Sequence, residues 1–201
     1  MQISKCIKIM TASALLLIMP GPTNTLLLFS GFTYGFFKSI RMMLAEWMGY
    51  FLAISIWGLI FSNLSRYGDE IIIAIKVLSA IYVCFLAIKV WRFSLHTGSA
   101  NIKFKNVFIA TCLNPKAFIF AAYIIPLTAF IDAYDYFNAM LSVFFALSPV
   151  SFIWIYFGVL IKSRNDTSIQ IKPEVLYRIA SLAMSLFAVS MIYTSVQSVL
   201  L

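Results

Sequence analysis

Apolar runs too long for a globular helix alternate with short polar stretches along the whole chain. Six such segments can be drawn. The first, roughly Ile9 to Phe32, lies within 29 residues, Ile9 to Phe37, that carry no charge. The second is Met42 to Leu64, with the single charge of Glu46, and the third is Ile71 to Val90, with Lys76 near its start. The fourth, Asn106 to Ile131, has Lys116 as its only charge; the fifth, Phe137 to Ile161, contains Pro149; the sixth is Ile179 to Leu201. A bilayer core takes about 20 apolar residues of helix, so each segment reads as one span. Lys76 is tolerated because a lysine near a helix end snorkels to the interface. A strand barrel needs alternating segments of roughly ten residues, and the chain has none. The expectation is an all-α integral membrane protein with six transmembrane helices, a single domain over 1–201.

Composition agrees. Of 201 residues 62% are hydrophobic and 11% charged, with a mean hydropathy of +0.95. Such a chain does not stay dissolved as a monomeric globule, and the lipid bilayer is its expected partner. The net charge of +8 would point to nucleic acid in a soluble protein. Here Lys and Arg gather in the connections, as membrane topology requires, and no nucleic acid partner is expected. The connections after spans one, three and five hold ten cations, from Lys38 and Arg41 to Lys172 and Arg178, against four on the other side, Lys5, Lys8, Arg66 and Lys76. The positive-inside rule puts the first set in the cytoplasm. Both termini and the acidic connection Asp132 to Asp135 then face outward. Lys5 and Lys8 before an apolar run resemble a signal peptide, but no small-x-small site follows, so an uncleaved first span is expected. Cys6, Cys84 and Cys112 lack the spacing of a metal or disulfide framework and read as unpaired thiols. His96 and the tryptophans, Trp47, Trp57, Trp91 and Trp154, read as surface, lipid or interface residues.

Two spans are interrupted. Pro20-Gly21-Pro22 breaks the first, because proline removes a backbone donor and clashes with the preceding turn. Thr23 and Asn24 follow at once. In the fourth, Asn114 before Pro115 is the signature of a helix start, with Asn114 as N-cap and Pro115 at the first helical position. The stretch from Ala117 to Ile131 is 15 residues, about 22 Å of helix, and falls short of a 30 Å hydrocarbon core. Spans one and four open two halves of three spans, about 1–93 and 104–201, and an odd number of spans sets the halves in opposite orientation. Paired broken helices in two inverted halves point to the binding site of a transporter, with the freed backbone groups lining a wet pocket.

The residues around these breaks resemble a family. Met19-Pro20-Gly21-Pro22-Thr23-Asn24-Thr25-Leu26 looks like the Pro-Gly-Pro signature of the LysE/RhtB amino-acid exporters. Leu113-Asn114-Pro115-Lys116-Ala117-Phe118-Ile119-Phe120, with Pro126 beyond, is similar to their Asn-Pro-Lys span, and Ile75 to Tyr82 through Trp91-Arg92 looks like their third segment. Length and layout match over nearly the whole chain. Two departures concern the substrate: Gly49 is the one glycine kept in the first part of the second span, with Ser39 and Ala45 as small substitutes, and Glu46 stands where an apolar residue is expected. The resemblance implies secondary-active, multi-pass export of amino acids or similar metabolites across the bacterial inner membrane, with no cofactor and no catalytic residue.

An amino acid brings a carboxylate and an ammonium. The substrate-binding candidates are Pro20, Gly21, Pro22, Thr23, Asn24, Glu46, Asn114, Pro115 and Lys116. The start of the half-helix at Asn114 would offer free N–H groups and a positive dipole end to the carboxylate, with Lys116 adding a cation. Thr23 and Asn24 would hydrogen-bond either end. Glu46 would meet the ammonium or carry a coupling proton, since a carboxylate in a span costs roughly 2.5–3.5 kcal/mol and faces the bundle interior. The plainer alternatives are that Glu46 pairs Arg41 or Lys38 at the interface, and that Lys116 forms a structural ion pair, with Glu46 itself as one partner. Gly31-x-x-x-Gly35, continuing to Ser39, suits close helix approach, within one chain or across a homodimer. Export of a metal cation or other toxic solute would need convergent Cys, His or carboxylate ligands, and no metal site is expected. An intramembrane enzyme would need a catalytic pair that the spans lack. A non-transport assembly protein would lock Glu46 and Lys116 in packing. No phosphate-binding loop points to ATP.

Overall fold

The computed structural model describes residues 3–64 and 102–163, with isolated helical positions between 70 and 92 and between 178 and 193. Every element among them is helical. Helix α1 is Ile3–Ile18, α2 is Pro22–Tyr34 and α3 is Phe36–Leu64. Helix α4 is Phe104–Cys112, α5 is Pro115–Ile119, and α6 is Ala133–Ser163.

The first span breaks where the prolines predict. Ile9, Ser13, Leu16 and Leu17 are the buried face of α1, the spacing of one helical side. At Met19 to Gly21 the chain leaves the helix and α2 sets off at 66° to α1. Pro22 opens α2 at its first position, with Gly21 as N-cap, where a missing N–H costs nothing.

The connection from the first span to the second is a single residue, Gly35, shorter than the charge pattern implies. Its φ of 77° is the left-handed conformation that L side chains avoid. Helix α3 begins at the next residue, so Lys38 and Arg41 ride on its first turns rather than in a loop. Polar residues at a helix start had masked six residues of helix before Met42. The same shift removes Gly35 from the expected small-residue stripe. Gly31 finds its counterpart within the chain instead. A Cβ on Gly31 would strike the backbone oxygen of Ile155 in α6, and one on Gly158 would strike that of Leu28 in α2. Without a hydrophobic drive inside lipid, such backbone proximity is what holds helices together.

The second break departs from the expected half-helix. After α5 the backbone widens into a π turn over Phe120–Ile124, closed by Ile125 N–H donating to Phe120 O at 2.9 Å. Ile125 is extended (φ −92°, ψ 123°), because the residue before a proline is pushed out of the helical region. Pro126 then starts a single 3₁₀ turn, Leu127–Phe130. The helical stretch from Ala117 does not reach Ile131.

Helix α6 starts from Asp132, whose Oδ1 accepts from Asp135 N–H at 2.8 Å. Pro149 sits inside this 31-residue helix without ending it. Helices α3 and α6 are each long and apolar enough to cross a membrane, and each bent pair, α1 with α2 and α4 with the stretch Lys116–Ile124, meets the same test as one broken span. The third and sixth predicted spans, with Lys76 and His96, lie outside the continuously described residues, and so does the six-span inverted repeat. At described positions of those segments Ser181 donates to Ala87 O at 2.7 Å, and Arg178 stands over the Trp91 ring, 5.5 Å from its centre. Trp47, Trp57 and Trp154, expected at lipid or the interface, are half-buried against the core, with Trp57 edge-on to Phe118.

Candidate functional site

Pro20 and Pro22 withdraw two backbone donors just past Ile18, which leaves the last carbonyls of α1 in need of partners. Asn24, on the first turn of α2, donates one amide hydrogen to Leu17 O at 2.7 Å and the other to Met19 O at 2.9 Å. Lys116 reaches the same two oxygens: its Nζ donates to Leu17 O at 3.2 Å and to Met19 O at 2.5 Å. Two carbonyls thus accept four hydrogen bonds, using both lone pairs of each. The ammonium also stands at the carbonyl end of the 16-residue α1, where aligned peptide dipoles favour a cation. Gly21 is extended (φ −165°), a conformation open to any residue, and what it contributes is room. A Cβ there would lie 3.3 Å from Lys116 Cε and 3.4 Å from Nζ.

Asn114 is the N-cap of α5 as expected, its Oδ1 accepting from Lys116 N–H at 3.0 Å, with Pro115 at the first position. The backbone donors meant for a carboxylate are nevertheless taken. Pro115 has none, that of Lys116 goes to the Asn114 side chain, and that of Ala117 goes to Asn114 O at 3.0 Å. The remaining Asn114 amide hydrogens cross the break. Nδ2 donates to Thr23 Oγ1 at 2.8 Å and to Tyr50 OH at 3.2 Å, and Thr111 Oγ1 lies 3.4 Å from Thr23 Oγ1.

Glu46 is fully buried. The early start of α3 carries it well into the helix, and it bonds to neither Arg41 nor Lys38. The Ser151 hydroxyl on α6 lies 2.5 Å from its Oε2, and Oε1 has no hydrogen-bond partner. Ser151 Oγ is also 2.9 Å from Leu147 O, although a hydroxyl has one proton to give. Glu46 and Lys116 form no ion pair; each bonds to other partners. Ser13 Oγ and the indole nitrogens of Trp47 and Trp154 are likewise buried without a partner.

The structure therefore brings Gly21, Thr23, Asn24, Asn114 and Lys116 together at one junction of the two breaks. Pro20, Pro22 and Pro115 act through the backbone that they shape. Tyr50 ties Glu46 to the junction, since it lies one turn along α3 on the same face and accepts from Asn114. Tyr50, Thr111 and Ser151 were not among the expected residues. Only Tyr50 had a sequence signal, its i+4 spacing from Glu46. The expected wet pocket is closed: Thr23, Asn24, Glu46, Tyr50, Asn114 and Lys116 are all buried. An open groove of about 440 Å³ lies beside it, walled by apolar side chains including Trp47, Phe51, Phe108, Met140 and Phe144. Among the described residues no three His, Cys, Asp or Glu cluster to hold a metal ion, and the three cysteines are free thiols.

A family model described as LysE type translocator matches residues 14–195, a span that takes in both breaks, Glu46 and Lys116. No curated protein and no solved structure matches the chain. With nine-tenths of its length matched, the chain belongs to the LysE type translocator family and is a membrane transporter that exports small solutes.

Proposed function

We propose that this protein exports an amino acid or a closely similar metabolite across the bacterial inner membrane, by proton-coupled alternating access at the junction of its two broken spans. The observation that carries the reading is the set of buried ionisable and hydrogen-bonding side chains, Asn24, Asn114 and Lys116 at that junction and Glu46 one helical turn from Tyr50 beside it. Burying them is expensive in a bilayer, and intramembrane ionisable groups mark solute and proton paths. The closed arrangement suits an occluded state, from which either half would move to admit solute.

The proton is assigned to Glu46. Ser151 has one hydrogen to share between Glu46 Oε2 and Leu147 O, and it sits within bonding distance of both. A proton on Glu46 satisfies the pair: the carboxyl donates to Ser151 Oγ, and Ser151 donates to Leu147 O. Loss of that proton leaves a bare carboxylate with an unpartnered Oε1, an anionic acceptor for a cation that solute entry sets free in the junction. Proton release and solute uptake would then be coupled at one group.

Flux of candidate amino acids into inverted membrane vesicles tests this, with a pH gradient imposed and collapsed. Wild type should accumulate solute only with the gradient. Glu46→Gln, which keeps the shape and donates an N–H to Ser151, should retain solute exchange but lose the response to the gradient. Well-inserted Glu46→Gln protein that still concentrates solute on the gradient would remove Glu46 from the mechanism.

A further inference from the structure

The carbonyls of Leu17 and Met19 form a subsite for a primary ammonium, we infer, that Lys116 fills in this state with its own side chain. The inference rests on the reading that solute binds at the junction, and it names the chemistry of one end of that solute. An anion subsite was expected here, but the free backbone groups are acceptors. Two main-chain oxygens converge on one nitrogen at 3.2 and 2.5 Å. Asn24 fixes both from behind, so the oxygens hold their positions whether or not the ammonium is there. The dipole of α1 ends at them with its negative pole. Gly21 has no Cβ to crowd the ammonium that sits on them.

Nothing in this geometry requires the ammonium to be tethered. Lys116 brings its charge from α5, in the other broken span, with no carboxylate in hydrogen-bond contact. An α-ammonium or a short alkylammonium presents the same N–H donors to the same oxygens. Lys116 and such a solute are therefore alternative occupants, and loading the site means displacing Lys116. The unpartnered Oε1 of Glu46 is the buried anionic acceptor the displaced side chain would find. A guanidinium is planar and a quaternary ammonium has no N–H, so neither fits two converging oxygens in the same way.

The test uses detergent-purified full-length protein and methylammonium as the probe. Lys116→Ala removes the stem as well as the charge and opens the subsite. Methylammonium should raise the melting temperature of this variant by about 2–4 °C and leave wild type unmoved. Tetramethylammonium and sodium, at the same ionic strength, should shift neither protein. A further Asn24→Leu change should abolish the shift, because the carbonyls lose the amide that holds them. Should Lys116→Ala not accumulate, expression and purification in methylammonium should recover monodisperse protein where tetramethylammonium does not. Equal shifts with all three cations, equal recovery in the two ammonium ions, or no shift and no recovery with any, overturns the inference. The outcome is separable from the transport reading: methylammonium binding with normal flux in Glu46→Gln sinks the mechanism alone, and lost coupling without methylammonium binding sinks the subsite alone.

Discussion

The two broken spans are built from the same ingredients, a proline and a nearby asparagine, and they do opposite jobs. The break in the first span presents acceptors: α1 stops at Ile18, and the carbonyls of Leu17 and Met19 face inward. The break in the fourth presents donors: the Asn114 amide and the Lys116 ammonium. The difference comes from which side of each proline turns inward. At Pro20 and Pro22 it is the end of the preceding helix, and at Pro115 it is the start of the following one. A helix end exposes C=O and a helix start exposes N–H, but Asn114 caps its own start, so side chains become the donors there. The lesson is that two matching breaks need not make two half-sites of the same kind. Here one completes the other, the donors of the fourth span meeting the acceptors of the first.

That contrast can be broken first at its charged link. Lys116→Met keeps the stem and removes the ammonium from two carbonyls. A charge-assisted hydrogen bond contributes about 1.5–3 kcal/mol, so unfolding of the purified protein should become easier by about that much. Next comes Asn24→Leu, nearly the same shape without the amide. Each carbonyl of the first break would lose a donor, and unfolding of the purified protein should be easier by about 1–3 kcal/mol. On the donor side, Asn114→Ala removes the cap of α5 and the links to Thr23 and Tyr50. Its cost should be about 1–2 kcal/mol, and because Tyr50 is then unanchored, hydrogen exchange should quicken on the α3 face around Glu46. The smallest effect belongs to Thr23→Val, which takes one acceptor from Asn114 and leaves Tyr50 in place, about 0.5–1.5 kcal/mol in the same unfolding measurement. If Asn114→Ala and Thr23→Val weakened the protein more than Asn24→Leu, the acceptor side would not be the anchoring half.

Away from the junction, the helices are held by backbone approach. Gly31 and Gly158 bring α2 and α6 together so closely that a methyl on either would meet main-chain oxygen. The sequence pattern marked Gly31 but paired it with Gly35, which turned out to be a turn residue with a left-handed backbone.

Much was legible in the order of residues alone. A chain that cannot bury 62% hydrophobic residues in a water-soluble globule must use lipid, and backbone groups in lipid must close into helices. Proline without an N–H sets where those helices stop, whatever surrounds it, so both breaks and the Asn114 cap could be placed beforehand. Other features depend on what stands opposite. Charge at a helix start looks like loop, and only packing revealed that α3 begins at Phe36 and draws Glu46 inside. Ser151, in an uncharged span, became a partner of Glu46 because α6 passes beside α3. The destination of the Lys116 ammonium was also settled in three dimensions: packing brings to it two carbonyls at the end of α1, on residues about a hundred positions away.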